Sequence, residues 1–275
     1  MNIAVKSPGI SRMGGKTYLT RWLCEFIPEH ERYIEPFAGG AKLFFYKESS
    51  PIEILNDRED MLINLYKVIQ HDEKRQRLIK LLNEIPYSRN IFNHFRKSEP
   101  QGEIEKAARY FYLCKASFAG DVKYGGFATP SRSTTRNPAM TYQNSIKSLN
   151  YIAQRLKGVT IECLDYKDCI SRYDSESSLF YIDCPYYGSE DYYGNTFTEQ
   201  DHYNLSNILH SVKAKVMLSH YQCETYDKLY SDWNKYIFES FKGSYKADAG
   251  QKKPKTVEVL FTSFSKARQR SLFNV

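Results

Sequence analysis

Several common features are missing from this chain, and each absence narrows the reading. No run of about 18 apolar residues occurs, the length a helix needs to cross a bilayer. The opening residues Met1 to Ile10 carry neither a long apolar region nor a small-residue cleavage pattern, so the expected setting is cytoplasmic. The cysteines Cys24, Cys114, Cys163, Cys169, Cys184 and Cys223 include no Cys-x-x-Cys pair. All are expected reduced, and all but Cys184, which sits in a motif, are expected to be small buried apolar side chains. The histidines His30, His71, His94, His202, His210 and His220 show no metal-ligand spacing with cysteine or glutamate. No metal is expected, and each reads as an ordinary surface or core residue. Gly14-Gly15-Lys16-Thr17 ends like a phosphate loop, but that loop needs a glycine where Ile10 stands, which argues against a nucleotide triphosphatase. There is no internal repeat and no low-complexity tract.

What is present suits a folded protein with a polyanionic partner. The 275 residues are 41% hydrophobic, enough for one α/β core plus an insertion or smaller lobe. The net charge of +7 is a modest pointer to nucleic acid. The aromatic share of 15%, with 23 tyrosines, supplies flat faces for bases and hydroxyls for phosphates.

The periodicity gives an order of elements. Leu19, Trp22, Leu23, Phe26 and Ile27 recur at helical spacing and Pro28 ends that helix. A strand over Arg32 to Glu35, a Gly-rich turn, a helix over Ala41 to Glu48 and a strand over Ile52 to Leu55 follow. That sequence opens a parallel, doubly wound sheet. From Glu59 to about Lys115 the pattern is helical nearly throughout. Gly125-Gly126 suggests a hairpin or exposed loop, and Pro130 to Pro138 a polar surface loop carrying Arg132 and Arg136. A helix is expected over Asn144 to Leu156, and then the α/β rhythm resumes. Strands fall at Val159 to Cys163, Leu179 to Ile182 and Lys215 to Ser219. Helices fall at Thr198 to Val212, with Thr198 as N-cap, and at Glu224 to Tyr230. Tyr236 to Phe241 and Thr256 to Phe264 read as a closing antiparallel pair. An α/β domain (1–60 and 151–275) interrupted by a helical insertion (61–150) is therefore expected.

Three motifs carry the chemistry. Tyr181-Ile182-Asp183-Cys184-Pro185-Tyr186-Tyr187 follows an apolar strand, and an aspartate at a strand's carboxyl end lies where open α/β sheets bind ligands. Pro185 stiffens the turn, and an aromatic beside it can lie against a planar group held by the aspartate. Glu35-Pro36-Phe37-Ala38-Gly39-Gly40 joins the first strand to its helix, and its glycines let backbone approach a ligand closely. Asp57 ends the second strand about twenty residues after the Gly-rich turn, where an acid can hold a ribose diol.

In this order the pieces resemble the Dam-type family of N6-adenine DNA methyltransferases. Met13-Gly-Gly-Lys16, Glu35-Pro-Phe-Ala-Gly-Gly40, Asn56-Asp57 and Asp183-Cys-Pro-Tyr186 resemble its opening, cofactor, ribose and catalytic motifs. Phe111-Tyr-Leu-Cys-Lys115, Phe118-Ala-Gly120 and Gly126-Phe-Ala-Thr-Pro130 resemble its target-recognition stretch. Phe197-Thr198 and Val216-Met-Leu-Ser219 resemble later segments. The resemblance implies a Rossmann-like methyltransferase sheet with a mostly helical recognition insertion. It implies S-adenosylmethionine as methyl donor, held by Met13, Lys16, Glu35, Pro36, Phe37, Gly39, Asp57, Asp165 and Asp183. Asp183, Cys184, Pro185 and Tyr186 would be catalytic. Lys115, Phe118, Gly120, Lys123, Tyr124, Arg132 and Arg136 would meet duplex DNA, with Lys252, Lys253 and Lys255 as further backbone contacts. A monomer is expected, with a cognate restriction endonuclease as a companion in function only.

This chain departs from the family pattern at three places: Cys184 replaces the first proline of D-P-P-Y, Ala41-Lys42 follows the glycine pair where a third small residue is frequent, and Ala119 stands where asparagine is frequent. The chemistry expected is base flipping, with Tyr186 stacked on the extruded ring. Asp183 and the Cys184 carbonyl would accept hydrogen bonds from the amino group. RNA as substrate, or a catalytically silent DNA-binding regulator, are the competing readings.

Overall fold

The computed structural model describes residues 19–130, 135, 137–188, 197–241 and 255–266. The strands are β1 (Arg32–Glu35), β2 (Ile52–Asn56), β3 (Thr160–Glu162), β4 (Ser178–Ile182), β5 (Lys215–Tyr221), β6 (Asn234–Phe241) and β7 (Lys255–Thr262). They form a seven-stranded sheet in the order β3-β2-β1-β4-β5-β7-β6. The pairs β2–β3, β1–β4 and β4–β5 are parallel, and β7 runs antiparallel to both β5 and β6. The helices are α1 (Thr20–Cys24), α2 (Lys42–Tyr46), α3 (Asp60–Gln70), α4 (Asp72–Glu84), α5 (Arg89–Lys97), α6 (Glu103–Ala116), α7 (Pro138–Lys147), α8 (Leu149–Leu156), α9 (Tyr166–Tyr173), α10 (Glu199–Ser211) and α11 (Glu224–Leu229). The mixed α/β fold with a mostly parallel sheet matches the Rossmann-like methyltransferase expectation.

The chain divides into two compact units, one of Met1–Arg21, Ala38–Ser49 and Glu53–Asp165, the other of Trp22–Phe37, Ser50–Ile52 and Tyr166–Val275. In the second unit β4 lies between β1 and β5, and every one of its residues is buried. A parallel strand with neighbours on both sides and cover on both faces shows a continuous apolar run rather than alternation, which is why Ser-Leu-Phe-Tyr-Ile reads as it does. The helix α10 starts as its sequence requires. The Thr198 side chain accepts from the Asp201 amide while the Asp201 carboxylate accepts from the Thr198 amide, a reciprocal cap that satisfies two donors.

In the first unit α6 is buried at Ile104, Ala107, Ala108 and, but for Lys115, from Tyr110 to Ala116, and packs on α3. Helices follow one another from Asp60 to Leu156. The single helix expected over Asn144 to Leu156 is two, because Ser148 closes α7 and its hydroxyl donates back to the Ser145 carbonyl at 2.7 Å, competing with the helical ladder. The helix α9 escaped the sequence reading, since only Tyr166, Cys169 and Ile170 are buried in its eight residues. The cysteine expectation also needs correction: Cys114, Cys169 and Cys184 are buried, but Cys24 and Cys223 are half-buried and Cys163 is exposed. Cys163 follows directly on β3, which ends the sheet among the described residues.

An ion triad inside the first unit joins the strand β2 to two helices. Glu53, buried on β2, accepts from Lys47 Nζ at 2.6 Å and from Arg155 Nη2 at 2.8 Å. The Arg155 guanidinium also donates to the Phe44 carbonyl at 2.9 Å and lies 3.7 Å over the Phe44 ring. Such a pair gains little over an apolar replacement, but removing one partner strands a buried charge. Glu53→Ala should therefore cost about 3–5 kcal/mol, read as a lower urea midpoint at unchanged slope.

Candidate active site

In the second unit the register carries two acids to the same edge of the sheet. Ile34 lies opposite Phe180 in parallel strands, so Glu35 and then Asp183 emerge at the carboxyl end. Ile182 lies opposite Leu218, which brings Ser219 and His220 to the same level from β5. Beneath them is a buried hydroxyl layer. Tyr33 donates to Glu35 Oε1 at 2.7 Å, and Tyr181 bonds the Ser219 hydroxyl at 3.0 Å. Burial, then the neighbouring Glu35 charge, pushes the Tyr33 phenol far above its ordinary value. Burial, then Asp183, does the same to Tyr181. Both phenols stay neutral and remain donors.

Asp183 opens a turn whose following residues are fastened from three directions. Cys184 is buried, with Sγ 3.4 Å from the Tyr226 hydroxyl, which in turn lies 2.6 Å from His202 Nδ1. Tyr186 donates through its hydroxyl to Glu258 at 3.1 Å. Its ring lies 4.6 Å from that of His220 and edge-on to Tyr221 at 4.4 Å. The Tyr187 amide donates to His220 Nε2 at 2.9 Å. Glu258 arrives because β7 is antiparallel to β5 and sets it opposite Tyr221. The sequence reading missed Glu258, Tyr226 and His220. An acid flanked by apolar residues in a closing strand and a histidine just past Val216 to Ser219 were the signals available. Phe37 stands in an aromatic group with Tyr166, stacked at 5.3 Å, and Phe197, edge-on at 5.6 Å.

The first unit carries its own motif acid. The Asp57 carboxylate accepts from the Gly39 amide at 2.8 Å through one oxygen and from the Glu59 amide at 2.9 Å through the other. Each oxygen keeps a second lone pair for a hydroxyl donor. Gly39 has φ 49°, and a side chain built on it would meet nothing within 4 Å among the described residues, which leaves that face of the turn room for a ligand among them. Asn56, fully buried, exchanges hydrogen bonds with the backbone of Leu164 at 2.8 and 3.1 Å, which brings the neighbouring Asp165 to the same strand edge. An acid with free lone pairs beside an open glycine fits the ribose of the donor that the resemblance implies. Ala41 has φ 47°, so the departure from a third glycine falls on left-handed backbone that an alanine adopts at some cost.

The expected recognition stretch is a loop closing on itself. Ser117 bridges Phe127, the Phe118 amide donates to the Gly126 carbonyl at 2.7 Å, and Ala128 returns to Ala116 at 2.7 Å. Asp121 Oδ1 accepts from the Lys123 and Tyr124 amides at 3.0 and 2.9 Å, and Arg96 donates to the Lys123 carbonyl at 2.8 Å. Gly125 is required here: a Cβ would lie 2.4 Å from the Asp121 carbonyl. The loop presents Phe118 and Tyr124, each 59% exposed, with Lys123 Nζ 5.0 Å over the Tyr124 ring. Ala119 and Gly120 are left-handed at φ 57° and 73°, a region that asparagine tolerates better than alanine. Lys115 ends α6 half-buried below the loop. Desolvation, with a contribution from Lys42, pushes its ammonium down to about 8.

Met13, Lys16, Arg132, Arg136, Lys252 and Lys253 lie outside the described residues, as does the side chain of Lys255. Compared with known proteins, the chain is 28% identical over 218 residues to the type II methyltransferase M.CviBI of Paramecium bursaria Chlorella virus NC1A, covering 77% of this chain and 81% of that one. It is 26% identical over 261 residues to the type II methyltransferase M.MjaIII of Methanocaldococcus jannaschii, covering 82% and 89%. A DNA adenine methylase of Vibrio cholerae is 24% identical over 269 residues, covering 90% and 94%. Residues 13–243, from the first glycine-lysine motif to just past β6, match a single family, and the chain belongs to it: the D12 class N6 adenine-specific DNA methyltransferases.

Proposed function

We propose that this DNA adenine methyltransferase works on a base flipped from duplex DNA, as a monomer, with the turn Asp183–Tyr186 as its catalytic element. The observation that carries the proposal is the register of β1, β4 and β5, which raises Asp183 at a sheet edge beside a turn fastened at Cys184, Tyr186 and Tyr187. An exocyclic amine is a poor nucleophile because its lone pair is shared with the ring. The Asp183 carboxylate and the Cys184 carbonyl accept hydrogen bonds from its two hydrogens, and those bonds strengthen as positive charge develops on the nitrogen. Tyr186 offers a ring face, held in orientation by Glu258, for stacking on the extruded base. Much of the acceleration is positioning.

Membership in a methyltransferase family implies S-adenosylmethionine, which supplies a methyl group on an electrophilic sulfonium. Glu35, Pro36, Phe37, Gly39, Asp57 and Asp165 are the residues proposed to hold it, with Met13 and Lys16 from the opening motif. No metal is assigned a role. The segment 61–150 is proposed as the recognition insertion, reaching DNA through Lys115, Phe118, Gly120, Lys123, Tyr124, Arg132 and Arg136, with backbone contacts from Lys252, Lys253 and Lys255. The exposed aromatic pair on an internally braced loop, with Lys123 beside Tyr124, supports that role.

Asp183→Ala should lower turnover at least about a thousand-fold; digestion of treated duplex DNA and weighing of the nucleosides measures N6-methyladenosine, and near wild-type yield would remove Asp183 from the chemistry. Asp57→Ala should weaken cofactor binding about ten-fold, the size of a lost charge-assisted hydrogen bond, by titration calorimetry. Lys115 carries its charge below about 8 and loses it above, so its attraction for phosphate is present at neutral pH and fades as pH rises through that value. DNA affinity should fall between neutral and alkaline buffer, and Lys115→Arg, always charged, should flatten that dependence.

A further inference from the structure

Residues 184–187 leave β4 without strand partners of their own, yet their backbone has to hold a carbonyl acceptor in place. Two of the three anchors, Tyr226 and Glu258, grip side chains of the turn. His220 grips its backbone. The His220 Nδ1 lies 2.7 Å from the Tyr221 carbonyl oxygen, and Nε2 lies 2.9 Å from the Tyr187 amide nitrogen. A carbonyl can only accept, so Nδ1 carries a proton; an amide N–H can only donate, so Nε2 is bare. Both bonds together admit one form of the ring, the neutral Nδ1–H tautomer.

The surroundings hold that ring still. His220 is 0% exposed and stacks on Tyr226 with centroids 3.6 Å apart and planes 17° apart. Tyr186 packs 4.6 Å away, the His202 ring is edge-on at 6.4 Å, and Cys223 Sγ lies 3.9 Å from Nδ1. The histidine thus touches both the Tyr186 ring and the amide of the next residue, so its position is transmitted to the turn at two points.

We infer that His220 is the positioning residue of the catalytic turn, holding the Cys184 carbonyl and the Tyr186 ring in register by accepting the Tyr187 N–H. The inference rests on the assignment of Asp183–Tyr186 as that turn. A displacement of about 1 Å in a catalytic acceptor can cost about a hundred-fold in rate, and such a loss falls on kcat and not on cofactor affinity.

The test compares His220→Leu, which keeps an apolar side chain and removes the acceptor, with His220→Gln, whose carbonyl oxygen can stand near the Nε2 position. In the full-length protein, kcat on duplex DNA should fall about ten- to a hundred-fold in His220→Leu and recover to within about three-fold of the unmodified protein in His220→Gln, with the S-adenosylmethionine dissociation constant unchanged in both. Equal losses in the two variants, or a cofactor affinity that falls in step with kcat, overturn the role. A second measurement does not depend on turnover or on either variant folding: nitrogen spectra of the 15N-histidine-labelled protein should show a pyrrole-type Nδ1 and a pyridine-type Nε2 at His220. The opposite tautomer overturns the inference. An unmodified protein that shows this tautomer but methylates no adenine refutes the reaction assignment and leaves the anchored turn standing.

Discussion

The constraint on which the second unit depends is the burial of β4. A strand with no exposed residue cannot leave a backbone amide or carbonyl unpaired without a cost of about 1–3 kcal/mol each, so it must have a partner on either side along its length. Those partners are β1 and β5, both parallel to it, and parallel alignment is what brings three carboxyl ends to one edge. Burying Leu179, Phe180 and Ile182 contributes roughly 1.5–3 kcal/mol apiece and makes a slip of register expensive, since each side chain would change faces. The position of Asp183 follows from that rigidity. Asp183, proposed as the catalytic acid, stands at the end of a strand buried throughout.

The turn beyond Asp183 obeys a different logic. It has no ladder to hold it, so its order comes from side chains reaching in from α11, β7 and β5. Cys184 illustrates the consequence. In the family pattern a proline stiffens this position from within the chain; here a thiol packs against the Tyr226 hydroxyl, itself bonded to His202. Stiffness that a ring would provide locally is supplied by tertiary contact. The same trade is visible at Ala41 and Ala119, where left-handed backbone is imposed on residues that disfavour it; at Ala119 a loop braced by Asp121 and Arg96 surrounds the strained residue.

Much of the architecture was legible from pattern because it is set by local rules. The strand Arg32 to Glu35, the apolar run before Asp183, the cap at Thr198 and the closing antiparallel pair are all where periodicity and capping chemistry put them. The motif acids Glu35, Asp57 and Asp183 were recognisable because Glu35 ends a strand and the other two each follow one directly. The helix α9 was not, having too few apolar positions to make a stripe, and Glu53 was not, because a lone acid in an alternating strand reads as solvent-facing until Lys47 and Arg155 are seen around it.

By itself, then, the sequence determined which residues end strands, which begin helices and which family the ordered motifs resemble, since those depend on neighbours within a few positions. Only the tertiary structure decided what each motif residue touches. Glu258 reaches Tyr186 across 72 residues of chain, and His220 reaches the Tyr187 amide across 33. Neither pairing can be read from spacing. Both follow from strand order and register, and those are settled by how the whole sheet buries its apolar faces.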